Sequence, residues 1–173
     1  MAFAQRRVTI VPKQNGRNAM DITRKSLPEQ HYLYVDRECA FDPKAIGDAM
    51  ASGFGEVFGF TAANNITPLS MPMSLYTEMP AGKLRFRACA LVSAEDAARA
   101  DGAIKADIIP AGDALTAVHV GPYASLNQSH KAIWDHANAV GLAKAMPVWE
   151  IYVDDPGSTP EAELRTEIFR ALG

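Results

Sequence analysis

The feature that most limits how this chain can fold is an order of elements that occurs twice. In the first pass, His31-Tyr32-Leu33-Tyr34-Val35 is rich in strand formers. Asp42-Pro43 then offers a helix N-cap and a first-turn proline. Ile46, Met50, Phe54, Val57 and Thr61 follow at helical spacing as far as Asn64-Asn65. Gly47, Gly53, Gly55 and Gly59 interrupt that helix, each at up to ~1 kcal/mol relative to alanine. Two strands, roughly over 70–78 and 84–92 and separated by Pro80-Ala81-Gly82, complete the unit. After an Ala/Asp-rich link with a short turn or helix near Ala94–Gly102, the order recurs. Ala114–Val120 alternates as a strand, and Gly121-Pro122 opens a helix with the apolar stripe Leu126, Ile133, Ala137 and Val140, His130 lying on the same face. Gly141 is the expected left-handed stop. Val148–Val153 reads as a strand, Asp155-Pro156-Gly157 as a turn and Leu164–Leu172 as the last strand.

The chain therefore runs β-α-β-β, link, β-α-β-β, although the halves share negligible sequence identity. The physical consequence is an α+β domain: antiparallel sheet with helices over one face. Two like units side by side leave a central ligand cleft at their pseudo-twofold seam. The expected division is 31–92 for the first repeat and 112–173 for the second, with 1–30 an extension. Within that extension Arg7-Val8-Thr9-Ile10-Val11 reads as a strand and 12–30 as loop.

At 173 residues, 48% of them hydrophobic, the chain can bury a real core. A net charge of −3 argues against a surface dominated by phosphate-backbone contacts, so direct nucleic-acid binding is not expected. Cys39 and Cys89 sit in apolar stretches and read as reduced, buried thiols of a cytoplasmic protein. No run of signal-peptide or membrane-span length occurs, so no membrane contact is expected.

Conventional catalytic motifs find no footing. Gly53-Phe54-Gly55 has Phe58 where a dinucleotide loop needs its third glycine, and it lies inside a helix. There is no phosphate loop and no nucleophile elbow. His31, His119, His130 and His136 lack metal-ligand spacing, so no metal and no cofactor are expected; His130 and His136 read as surface or packing residues.

Pro147-Val148-Trp149-Glu150-Ile151-Tyr152-Val153 breaks the bland pattern. As a strand it sets Val148, Glu150 and Tyr152 on one face and Trp149, Ile151 and Val153 on the other. The carboxyl of Glu150 either faces solvent or points into a cavity. Buried without compensation it would be costly, and so would keep its proton or await a cationic partner. Tyr32, Tyr34, Tyr76, Tyr123, Trp134, Trp149 and Phe169 are available as ring walls for a planar or lipophilic cation.

His119-Val120-Gly121-Pro122-Tyr123, then Trp149-Glu150-Ile151-Tyr152-Val153-Asp154-Asp155-Pro156, then Thr166-Glu167-Ile168-Phe169 together resemble the GyrI-like small-molecule-binding domain, which also serves as the effector-binding half of AraC- and MerR-type regulators. Ser74-Leu75-Tyr76-Thr77-Glu78 and Lys83-Leu84-Arg85 resemble its middle hairpin, so the likeness spans roughly 31–172. It implies a duplicated β-α-β-β fold in which Glu150 sits in the cleft and meets cationic, hydrophobic compounds, with Tyr152 beside it and Tyr123 at the mouth. Cys39-Ala40-Phe41-Asp42-Pro43 departs from the Gly-Pro-Tyr-like turn of many members, and Arg170-Ala171-Leu172 lacks the usual closing proline.

The resulting expectation is a stand-alone binder of hydrophobic small molecules, cationic ones included, that sequesters them or presents a ligand-dependent surface, with a protein partner or a homodimer left open. The resemblance also implies an enzymatic alternative, hydrolysis of reactive cyclopropane-type genotoxic compounds, with Glu150 as base and Tyr152 or Tyr123 as hydrogen-bond donor. Gyrase-type partner binding and tetrapyrrole binding are minor readings.

Overall fold

The computed structural model describes residues 20–78 and 80–173. Its elements are β1 (Thr23–Leu27), β2 (Gln30–Cys39), α1 (Pro43–Ala63), β3 (Met73–Tyr76), β4 (Leu84–Val92), the single-turn α2 (Ala94–Ala97), β5 (Lys105–Ile109), β6 (Gly112–Val120), α3 (Leu126–Ala139), β7 (Lys144–Tyr152) and β8 (Arg165–Leu172). Short 3-10 turns at Tyr123–Ser125 and Glu161–Glu163 precede α3 and β8. The strand expected over residues 7–11 lies outside the described residues.

All eight strands join one antiparallel sheet in the order β1-β6-β8-β7-β3-β4-β2-β5. A pseudo-twofold axis passes between β3 and β7. It relates β1-β2-α1-β3-β4 to β5-β6-α3-β7-β8, so each repeat is one strand longer than β-α-β-β. Each opening strand pairs with the opposite half: β1 with β6, and β5 with β2.

That exchange bends the sheet. Only Pro28 and Glu29 separate β1 from β2, and only Pro110 and Ala111 separate β5 from β6. Such a link spans at most about 11 Å between flanking Cα atoms. The same strands stand six places apart in the sheet, about 29 Å if it were flat. The sheet must curl until its edges approach. It curls around a cluster of Tyr32, Tyr34, Met73, Leu75, Trp149 and Phe169 with neighbouring apolar residues, in which the Trp149 and Phe169 rings stack with centroids 5.1 Å apart.

The other face carries the two long helices. Asp42 caps α1 by accepting from the Ala45 amide at 2.9 Å, with Pro43 in the first turn. Val57 of α1 packs on Leu33, Val35, Phe86 and Ala88. Gly53 lets the helix approach the sheet, since a Cβ there would stand 2.5 Å from Ala88 Cβ. Through Ile133 and Ala137, α3 packs on Leu115, Ala117 and Ile168. It ends at Gly141, whose φ is +67°. Between α1 and α3 runs the seam over β3 and β7.

The expectation of loop over 12–30 fails for β1, and β5 carries no strand signal in the sequence. Both are edge strands, TRKSL and KADII, with every residue but the last exposed. Polar edges of this kind suppress sheet-to-sheet association and erase the apolar alternation by which strands are recognised. Pairing with a distant partner, not local pattern, makes them strands. The second helix also begins later than Gly121-Pro122 suggests, because the 3-10 turn intervenes.

Candidate functional site

Alternation on β7 sends Val148, Glu150 and Tyr152 toward the helices. Across the seam, Glu150 stands opposite Ser74 of β3, and Tyr76 opposite Val148. Glu150, Tyr152, Ser74 and Tyr76 thereby converge beneath the gap between α1 and α3.

Glu150 is the centre, only 4% exposed. Its Oε2 accepts from Tyr152 Oη at 2.6 Å and from Tyr76 Oη at 3.3 Å. Its Oε1 lies 2.5 Å from Nε2 of His130, which reaches down from α3. Ser74 Oγ lies 3.1 Å from the Tyr152 hydroxyl. Both carboxyl oxygens are thus partnered, as a buried acid requires. Burial first, then the Glu150 charge, holds the Tyr76 and Tyr152 phenols well above the usual tyrosine value. Both remain hydrogen-bond donors across the neutral range.

Rings close the site. Tyr152 meets Phe54 of α1 with centroids 5.7 Å apart and Tyr123 edge-on at 5.5 Å. Its hydroxyl also lies 3.7 Å from Met50 Sδ. His130 bonds Glu150 and Tyr123 packs on Tyr152, and both are less buried than the carboxyl, Tyr123 being 37% exposed. The turn that carries Tyr123 is fixed from below by buried His119, whose Nδ1 lies 2.8 Å from Ser129 Oγ and whose Nε2 lies 3.1 Å from the Pro122 carbonyl oxygen.

The expected residues divide by sheet face. Glu150, Tyr152, Tyr76 and Tyr123 come together. Trp134 is on the face of α3 that bears His130, one turn further along, and meets Lys144 and Arg170 rather than Glu150. Tyr32, Tyr34, Trp149 and Phe169 do not join the group: they project from the other face, Tyr34 beneath the Arg87 guanidinium at 4.2 Å and Phe169 against Trp149. Strand alternation forces this, since Tyr34 pairs with Cys89 and Phe169 with Trp149, both inside the curl.

His130 corrects the expectation of a surface or packing residue. The sequence signal is a histidine on the apolar stripe of α3, but its partner lies 20 positions away on another element. Among the described residues, no group of three or more His, Cys, Asp or Glu is placed to hold a metal. No helix there is long and apolar enough to cross a membrane.

A twofold-repeated α+β sheet with one carboxyl buried among rings between its helices defines a class of small-molecule-binding domain. The GyrI-like small molecule binding domain matches residues 20–172, and the chain belongs to that family. The C-terminal domain of EcmrR superposes with a TM-score of 0.72 at 21% identity, covering 89% of this chain and 98% of that one. A hydrolase from Listeria innocua gives 0.61 at 14% identity over 88% and 91% of the two chains. SAV2435, in a structure bound to tetraphenylphosphonium, gives 0.60 at 12% identity over 89% and 94%. At these identities the likeness is one of fold. No curated protein matches the chain.

Proposed function

We propose that this chain is a receptor for hydrophobic, cationic small molecules, with Glu150 as the counter-charge. The observation that carries the reading is the carboxyl itself, nearly sealed from water, pinned by two phenol hydroxyls and walled by Phe54, Tyr123 and Tyr152. Ring faces and a desolvated carboxylate together favour a lipophilic cation over its hydrated state. His130 occupies the place such a cation would take and must swing aside for the guest. The tetraphenylphosphonium complex of SAV2435 supports the same ligand class in a protein of this fold.

The test is calorimetric titration with tetraphenylphosphonium, alongside thermal melts. Wild type should bind and melt higher with ligand. Glu150→Gln keeps the shape and the hydrogen-bond acceptor but removes the charge, and should weaken binding by about tenfold or more. Equal binding by the two proteins would refute the counter-charge role.

The His130–Glu150 pair favours one second reading. An imidazole oriented by a carboxyl through Nε2 can accept a water proton at Nδ1, for which no hydrogen-bond partner occurs among the described residues. Attack of that water on a strained ring carbon would form a C–O bond and break a ring C–C bond. The released electron pair takes up the proton passed to His130, so that one water is added in all. The Listeria innocua neighbour of the same fold is a hydrolase. Incubation with a cyclopropane-bearing alkylator should then yield a product heavier by one water. His130→Gln should stop turnover while leaving binding intact.

A further inference from the structure

One buried charge in this domain has no counter-charge. Arg170 on β8 is 7% exposed, and its Nε is sealed from water without a hydrogen-bond partner. Among the described residues its guanidinium makes no ion pair, and burial alone pulls it below the usual arginine value. A buried cation left this way is costly to the folded protein.

The register places this charge beside the seam. Arg170 stands opposite Val148 on β7, and Val148 stands opposite Tyr76 on β3. Arg170 therefore shares a sheet face with Glu150, one strand over and two residues along, with Cα atoms about 8 Å apart. Its guanidinium carbon lies 4.6 Å from the ring centroid of Trp134, which is 41% exposed. Lys144 Nζ approaches the same ring at 3.2 Å and donates to Asn138 Oδ1 at 2.6 Å. Lys144 thus has a polar partner in the last turn of α3, whereas Arg170 has only the ring. The seam is polarised: an acid in the middle, and two cations around an accessible indole toward the end of α3.

The geometry points to Arg170 as an anion subsite, so that the preferred ligand is an aromatic zwitterion whose cationic centre meets Glu150 and whose carboxylate meets Arg170 beside Trp134. This rests on the seam being the binding site proposed above. A guanidinium held by burial and against the Trp134 ring forms strong paired hydrogen bonds with a carboxylate. A purely cationic guest long enough to reach Trp134 would meet repulsion there.

Rhodamine B and its ethyl ester isolate the carboxylate, since both keep the cationic xanthene and only the acid carries the anion. Calorimetric titration of wild type should show the acid binding about tenfold more tightly than the ester. Arg170→Met should bring the two within about twofold, and Arg170→Lys should retain part of the preference. In the absence of ligand, Arg170→Met should melt no lower than wild type, because it removes an unpaired buried charge. Equal or tighter binding of the ester to wild type, with loss in Glu150→Gln, would overturn the anion subsite and leave the cation receptor standing. Binding of neither dye would overturn both. A preference for the acid that survives Arg170→Met would remove Arg170 from the assignment.

Discussion

Tyr152 donates to Glu150 across 2.6 Å although the two residues lie on the same strand face, next but one along β7. Ser74 of β3 lies 3.1 Å from the same hydroxyl, with Met50 and Phe54 packed beside it. Tyr152→Phe keeps the ring packing and removes the closer phenol donor to Oε2, leaving Tyr76 at 3.3 Å. The expected loss is roughly 1–2 kcal/mol. Urea unfolding with an unchanged slope would measure it, and an undiminished midpoint would show that Tyr76 and His130 suffice.

The glycines of α1 are not equivalent. A Cβ at Gly53 would stand 2.5 Å from Ala88 Cβ, whereas at Gly55 and Gly59 it would meet open space. Gly53→Ala should therefore destabilise by about 1–3 kcal/mol as the helix is pushed off the sheet. Gly55→Ala and Gly59→Ala should each stabilise by about 0.5–1 kcal/mol, the ordinary gain inside a helix. Parallel urea melts of the three variants decide it, and a stabilising Gly53→Ala would contradict the close approach.

Alkali should unfold the domain. Tyr76 and Tyr152 hold their protons well above the ordinary value of 10.0. Up to that pH both the folded and unfolded chains keep these protons, and the stability contribution is intact. As pH rises further the unfolded chain releases them first, so it binds fewer protons than the folded one and stability falls. Phenolate absorbance from these two residues should appear together with loss of structure, and Tyr76→Phe should make the decline less steep. Phenolate from both in a still-folded protein would show that they are not sealed.

The two thiols should differ in reactivity. Cys89 is fully buried and Cys39 partly so; burial raises both thiols above the usual cysteine value, Cys89 by more. Because the thiolate is the reactive form, a disulfide-exchange reagent should label Cys39 slowly in the folded protein and Cys89 only after denaturant is added. Equal rates without denaturant would mean that the curled face opens readily.

Much of the fold is legible in local pattern. The Asp42-Pro43 start of α1, the alternation through Val148–Tyr152 and the Gly141 stop are signals that neighbouring residues set by themselves, and the structure bears them out. β1 and β5 are invisible to such a reading because their pairing partners are distant and their side chains are polar. At the site, alternation puts Glu150 and Tyr152 on one face correctly. Collecting aromatics without regard to strand face brings in Tyr34 and Phe169, which the pleat directs the other way. The role of His130 is hidden in sequence because it depends on where α3 crosses β7, a matter of packing and not of spacing.

The exchange of opening strands has a consequence for how the halves depend on each other. Neither can complete its own edge: β2 stays bare until β5 arrives, and β1 has nowhere to go until β6 is made. Assembly must therefore wait on contacts between remote stretches, which slows folding. Cleavage of the link between Val92 and Lys105 would leave two fragments clasping each other through two reciprocal strand pairings and the β3–β7 join. In its connectivity the protein is a strand-swapped dimer written on a single chain.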